Sequence, residues 1–401
     1  MFVAYWVIHV FRSKTDEVDR RNIKRLLIIG MFSRLAILLV AYVANSTFGL
    51  RTPFEGEVLP DYNLPLLNLF ARWDSGYYLL IAQDGYTTLD RWAFRPLFPM
   101  IMASLRFIFT AGSSTALSDL ILVGFFLNNA LFLLSLPLFY KLASMFLERN
   151  KALMASILFA FYPTTFFMSS IYPEALCMVL ILIGYLYLEE GKIITSSIFV
   201  FLAGLSRPEV FMLAIVYLVK GALEKKSVAR FLTASFLSFL SLPCVMIYSF
   251  LLTGDILTPF KASMLWPRTG MLEMILNINS LQLNFNPGLS LIYFVLYLPI
   301  FVTLLVIVSY YYIHPIISNV PDFEFHRKIF PYVLHSTLFF GCISIQEPYL
   351  SLARLSLSTF PLLWVLSVLC GKKSLFFIVI LMNITLLMIY LLLHVNWYHV
   401  N

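Results

Sequence analysis

Arg72, Trp73 and Asp74 stand side by side in "ARWDSGYYLLIAQDGY", the stretch from Ala71 to Tyr86. A carboxylate beside a substrate hydroxyl can take its proton as a general base. A guanidinium can hold a phosphate through two parallel hydrogen bonds. Further ionisable residues sit at the ends of long apolar runs: Glu174 after "SSIYP", Arg207 and Glu209 on either side of Pro208 in "GLSRPEVF", and Arg354 in "SLARLSLSTFPL". Charged side chains at such depths in lipid are costly and mark functional sites by default. Each also has a plain structural account. Asp74 precedes Tyr77, Leu80 and Ile81, the spacing of one helix face, and as an N-cap it would bond a free amide of the first turn. Glu174 near a helix N-terminus is favoured by the dipole, and the acids and arginines can pair with one another.

The elements that must position these residues are membrane helices. Hydrophobic residues make up 60% of the 401 residues and charged residues 12%, against roughly 45–50% and about 25% in soluble domains. The net charge of +7 has no basic patch interleaved with aromatics, which argues against nucleic acid. Cys177, Cys244, Cys342 and Cys370 lie in apolar runs without CxxC spacing, and read as buried core residues without a disulfide or metal role. The first ten residues are apolar but too short to span, and read as an interfacial anchor rather than a signal peptide.

A spanning helix needs roughly 20 apolar residues. Candidate spans run near 26–44, 119–141, 152–170, 172–189, 193–206, 208–220, 230–252, 289–313, 329–346, 355–370 and 374–395. The pair around Arg207 is short. A further helix near 96–110, opening with "FRPLFP", reads as re-entrant or surface-lying. With the N-terminus inside, basic clusters such as Arg20–Arg21, Lys225–Lys226 and Lys372–Lys373 fall on the cytoplasmic side, as the positive-inside rule asks. A full span at 96–110 would reverse everything after it. The expectation is an all-α polytopic membrane protein, one domain over 1–401 with about eleven spans. An outer catalytic loop covers 45–118 and a second outer loop 253–288. The helix after Asp74 is expected to lie at the membrane surface, its tyrosines in the interfacial belt, with Gly85 ending it. There is no internal repeat, which counts against a secondary transporter.

An outward carboxylate, arginines at lipid depth and aromatic surfaces suit a sugar donor linked to a lipid phosphate. Asp74 would deprotonate an acceptor hydroxyl, which attacks the anomeric carbon and expels the phosphate. Arg207, Arg268 and Arg354 are the outward arginines nearest lipid depth, and are expected around that phosphate. No Asp-x-Asp or His/Asp cluster suggests a metal, and no cofactor is expected.

"RWDSGYYLLIAQDGY" followed by "FRPLFPMI" resembles the RWD…H.A..GY…FFPL.P pattern of the PIG-V family, the GPI mannosyltransferase 2 enzymes and their prokaryotic relatives. "FYPTTFFMSSIYPEAL", "GLSRPEVFML", "TGDILTPFKASMLWPR" and "LARLSLSTFPLLWVLS" resemble further segments in family order, over about 70–365. The resemblance implies a GT-C glycosyltransferase fold with juxtamembrane helices on the outer face. It implies inverting transfer of mannose from a polyprenyl- or dolichyl-phosphate donor to a glycolipid or lipid-linked glycan, on the lumenal or extracytoplasmic face. Asp74 matches the acidic residue taken as the base. The substrate-binding set is Arg72, Trp73, Arg95, Glu174, Arg207, Glu209, Asp255, Trp266, Arg268 and Arg354. Tyr77–Tyr78, Pro173 and Leu355 depart from the pattern and leave the acceptor open. The compact chain fits a prokaryotic plasma membrane better than the endoplasmic reticulum. Another prenyl-phosphate sugar, or a glycolipid transporter, remain the competing readings; His335 reads as a core residue, not an acyltransferase histidine.

Overall fold

The computed structural model describes residues 16–47, 64–224, 227–265, 323–346, 354 and 356–396. The first ten residues, the span expected at 289–313 and most of the second outer loop lie outside them. Among the described residues there are helices and no strands. In chain order the α-helices are α1 (Glu17–Thr47), α2 (Ser75–Asp84), α3 (Leu97–Thr110), α4 (Leu117–Ala143), α5 (Arg149–Ala160), α6 (Glu174–Glu189) and α7 (Ile193–Gly204). Then follow α8 (Leu213–Glu224), α9 (Val228–Phe239), α10 (Ser241–Thr253), α11 (Thr258–Ser263), α12 (Phe323–Gln346), α13 (Leu362–Leu369) and α14 (Lys373–Val395).

Four described stretches are long and apolar enough to cross a bilayer: Glu17–Thr47, Leu117–Ala143, Val228–Thr253 and Lys373–Val395. The chain is an integral membrane protein. At its centre lies α6, in which every residue from Glu174 to Leu188 is buried; a helix apolar on all sides belongs in the interior. It packs between α4 and α7, while α1 leans on α4 and α14 on α1. Outside, Phe32, Leu35 and Leu39 of α1 and Phe377, Ile378 and Leu381 of α14 are exposed, apolar surface that suits lipid.

Prolines break several of the expected spans. The run 152–170 is not one helix: α5 stops at Ala160, and the chain turns through a 3-10 segment at Thr165–Met168. Pro163 disfavours helical backbone at the residue before it, and Pro173 lies just ahead of α6. The run 230–252 divides at Leu240, because Pro243 offers no amide to Phe239, where α9 ends. The run 208–220 begins with a 3-10 turn over Pro208–Met212. Hydropathy alone thus overstates the continuity of these runs. Cys244 faces outward on α10 while Cys177 and Cys370 are buried, so the expectation of uniformly buried cysteines is corrected there.

The expectation for α2 is corrected too. Its buried residues are Ser75, Gly76, Tyr78, Leu79, Ile81 and Ala82, a face offset by one position from the expected Tyr77, Leu80 and Ile81. It packs against α3 and α4, so protein covers Tyr78 while Tyr77 and Leu80 remain half-buried. Gly85 ends the helix as expected, at φ 76° with its amide on Ile81 O at 2.9 Å. Arg91 Nη1 donates to Gly85 O at 2.8 Å and Leu80 O at 3.3 Å, a cation serving the carbonyl end of the helix.

Candidate active site

The segment that carries Asp74 is fixed by partners far away in the chain. Phe70 O accepts the amide of Ile171 at 2.9 Å. Arg72 O accepts the Tyr172 hydroxyl at 3.1 Å. Asn128, in the middle of α4, donates through Nδ2 to Tyr172 O at 2.8 Å and also to Ser170 O. Arg34, buried in α1, donates from Nη1 to Thr165 O at 2.9 Å and Ser169 Oγ at 3.1 Å, with its guanidinium 3.7 Å from the Phe132 ring centre. Polar side chains inside the bundle thus clamp the 165–172 turn, and that turn clamps the Arg72–Asp74 segment. Trp73 is held at φ 56°, a left-handed conformation that bulky residues seldom adopt and that clusters at functional sites.

Asp74 occupies the N-cap position of α2 but does not cap it with its side chain. Its backbone carbonyl takes the amides of Tyr77 at 3.1 Å and Tyr78 at 3.3 Å. The carboxylate is used elsewhere: Oδ2 accepts from Arg354 Nη1 at 2.6 Å. A row of alternating charge follows. Arg354 Nε lies 3.4 Å from Glu174 Oε1, the same oxygen accepts from Arg207 Nη1 at 2.5 Å, and Arg207 Nε donates to Glu209 Oε1 at 2.5 Å. Pro208 favours an extended residue before it, and Arg207 has φ −144° and ψ 134°, which puts its side chain between the two acids. Glu174 is the first residue of α6, where the macrodipole favours a negative charge. The Glu174 side chain is 4% exposed and that of Asp74 22%, so the row opens outward at Asp74.

Some polar atoms of the row are not used. No hydrogen bond reaches Asp74 Oδ1 from the described residues. Glu174 Oε2 and Arg95 Nη1 are buried without a hydrogen-bond partner among them. Arg95 lies in the electrostatic reach of Glu209, Tyr86 and Tyr78, and burial lowers its guanidinium to about 10. Tyr78, edge-on to Phe94 and Phe98 at 5.2 and 5.7 Å, lies in the field of Asp74, Arg354, Glu174 and Arg207. Burial raises its phenol well above the ordinary value, so it stays neutral.

The structure therefore brings together Asp74, Glu174, Arg207, Glu209 and Arg354, with Arg72, Trp73 and Arg95 beside them. Asp255 is occupied locally: Oδ1 accepts the Leu257 amide at 2.9 Å and Oδ2 meets Lys261 Nζ at 2.5 Å. Trp266 and Arg268 lie outside the described residues. Sequence reasoning did not single out Tyr78, Tyr172 or Arg34. Arg34 carried a usable signal, a lone charge inside the first span; the two tyrosines carried none beyond their nearness to Asp74 and Glu174.

Residues 21–261 match the family described as Mannosyltransferase (PIG-V). The chain is 30% identical over 159 residues to the GPI mannosyltransferase 2 of Drosophila melanogaster, covering 36% of this chain and 35% of that protein. It is 32% identical over 121 residues to the GPI mannosyltransferase 2 of Drosophila pseudoobscura pseudoobscura, covering 29% of this chain and 26% of the relative. The match thus spans about a third or less of the curated relatives' length. The family match covers more than half of the 401 residues, so the chain belongs to the mannosyltransferase (PIG-V) family.

Proposed function

We propose that the protein transfers mannose, with inversion, from a polyprenyl- or dolichyl-phosphate donor to a glycolipid or lipid-linked glycan on the extracytoplasmic or lumenal face. The outer loop 45–118 carries the base together with Arg72, Trp73 and Arg95, and the remaining site residues come from later in the chain. In this reading Asp74 Oδ1 takes the proton of the acceptor hydroxyl. The hydroxyl oxygen then bonds the anomeric carbon, and the bond from that carbon to the phosphate oxygen breaks with its electron pair on the phosphate. Arg354 fixes the base through Oδ2. Glu174 Oε2, buried without a hydrogen-bond partner among the described residues, would accept a sugar hydroxyl.

The observation that carries this reading is the use of the Asp74 carboxylate. It leaves its own helix uncapped, is held through one oxygen by Arg354 at 2.6 Å, and keeps the other open. Transfer of labelled mannose from a polyprenyl-phosphate donor, in membranes with equal protein, tests it. Asp74→Asn keeps the shape and removes the proton acceptor, so the rate should fall by about 10²–10⁴. Arg354→Gln leaves the carboxylate in place and should fall less. An Asp74→Asn variant with more than about a tenth of the wild-type rate, or one no slower than Arg354→Gln, would return Asp74 to the role of an anchor for Arg354.

A further inference from the structure

The outer arginines differ in what they already hold. Arg207 and Arg354 are engaged by carboxylates, and Arg91 donates to the carbonyls of Gly85 and Leu80. Arg95 makes neither an ion pair nor a hydrogen bond among the described residues, although it is only 8% exposed. The residues around it are fixed by their own bonds. The Tyr86 hydroxyl donates to Phe94 O at 2.8 Å, and the Leu97 amide to Leu205 O at 3.0 Å. A guanidinium in that place remains charged at pH 7 even with burial lowering it to about 10. Keeping a bare cation out of water is expensive, and buried polar groups without partners are rare in native proteins. An anion from outside would complete it. Helix α3 starts at Leu97, two residues on, and its positive end adds to the same field. Tyr78 lies within electrostatic reach both of Arg95 and of Asp74.

We propose that Arg95, rather than Arg207 or Arg354, receives the phosphate of the prenyl-phosphate sugar; this rests on the transfer reading above. The chemistry fits a single unpaired cation. The donor phosphodiester carries one negative charge. When the anomeric carbon–oxygen bond breaks, the electron pair stays on the phosphate, which leaves as a monoester with up to two. A cation there meets charge that grows along the reaction, which is how a fixed group lowers a barrier. The paired arginines would have to give up a carboxylate first.

The test uses the purified full-length protein in detergent with polyprenyl monophosphate, the sugar-free product, as the probe. The probe should raise the Tm of the wild type and bind Arg95→Gln about 10- to 100-fold more weakly, the range for hydrogen bonds to a charged group. Arg95→Lys should fall between. Without the probe, Arg95→Met should melt no lower than the wild type, because it removes an unpaired buried charge; a residue serving only the fold would lower the Tm. In the transfer assay KM for the donor should rise in Arg95→Lys and Arg95→Gln while KM for the acceptor stays put. Equal probe binding by wild type and Arg95→Gln, undetectable binding by the wild type, or a rise confined to acceptor KM overturns the assignment. Probe binding that needs Arg95, in a protein that moves no mannose, would uphold this assignment and sink the transfer reading instead.

Discussion

The two ends of α6 make opposite uses of buried charge. Glu174 and Glu189 are its first and last residues, about 22 Å apart along the axis. Glu174 sits where the helix dipole welcomes an acid, and Glu189 where it does not. The far end corrects this at once. Lys220 Nζ meets Glu189 Oε1 at 2.6 Å and Glu224 Oε1 at 3.2 Å, and the Tyr332 hydroxyl donates to the same Glu189. The near end has the favourable field yet gathers two arginines, two more acids and Arg95, and leaves Glu174 Oε2 and Arg95 Nη1 without partners among the described residues. Buried ion pairs are poor stabilisers, because desolvation offsets their attraction. The closed set at Glu189 is what a structural use of charge requires. The open set at Glu174 makes sense if the missing partners arrive with a substrate.

The strongest way to break this contrast is to change both acids alike. Glu174→Gln removes the negative charge shared by Arg207 and Arg354 and so loosens the residue that fixes Asp74. Transfer should drop by about 100-fold, the scale expected when a reacting group shifts by an ångström. Glu189→Gln should leave transfer within about threefold, since it touches no open partner, but cost about 2 kcal/mol of stability by replacing the charged partner of the buried Lys220 ammonium with a neutral one. Parallel transfer assays and denaturant melts of the two variants decide the matter. Equal losses of transfer would erase the distinction between the ends.

Arg354→Lys sharpens the comparison within the near end. Arg354 reaches Asp74 through Nη1 and approaches Glu174 through Nε. A single ammonium is a point charge and cannot span two carboxylates in that planar way. A loss of about tenfold in transfer is expected, the equivalent of one hydrogen bond to a charged group. A lysine variant with full activity would mean that charge alone, without the planar fork, suffices at this position.

The site residues were legible because charge is rare in lipid. Glu174, Arg207, Glu209 and Arg354 could be picked from the chain on that ground alone, and Asp74 from the Arg-Trp-Asp stretch that holds it. Their pairing could not, because Arg354 and Asp74 lie 280 positions apart and no local pattern joins them. The isolation of Arg95 was invisible for the same reason: absence of a partner is a property of the packed bundle. The break after Ala160 was different. Pro163 and Pro173 stood in plain view, and averaging hydropathy across them hid a turn that carries much of the site's scaffold. The buried face of α2 was misjudged because periodicity states how residues are spaced, whereas α3 and α4 decide which of them are covered.

The smallest effect is expected at Asp16, which does for α1 what Asp74 does not do for α2. Its Oδ1 accepts the Asp19 amide at 2.9 Å, the bond of an N-cap, and its Oδ2 pairs with Arg149. Both side chains are about half exposed, at 47% and 48%, so water and salt weaken the pair. The Asp19 amide first, and Arg149 beside it, hold the Asp16 carboxyl below the usual carboxylate range. A depressed carboxyl contributes stability above its unfolded pKa of about 3.9 and loses it as the pH falls through the lowered folded value. Asn caps about as well as Asp, so Asp16→Asn removes the pair and the titration but not the cap. The variant should transfer mannose at the wild-type rate. Its Tm should lie slightly below the wild type at pH 7, with the gap shrinking in high salt and closing as the pH is taken below the carboxylate range. Thermal melts at several pH values and a single transfer assay measure all of this. An Asp16→Asn variant that lost transfer as Asp74→Asn is expected to do would show that an acid at a helix start matters here for reasons other than an open oxygen, and the contrast between the two aspartates would fall with it.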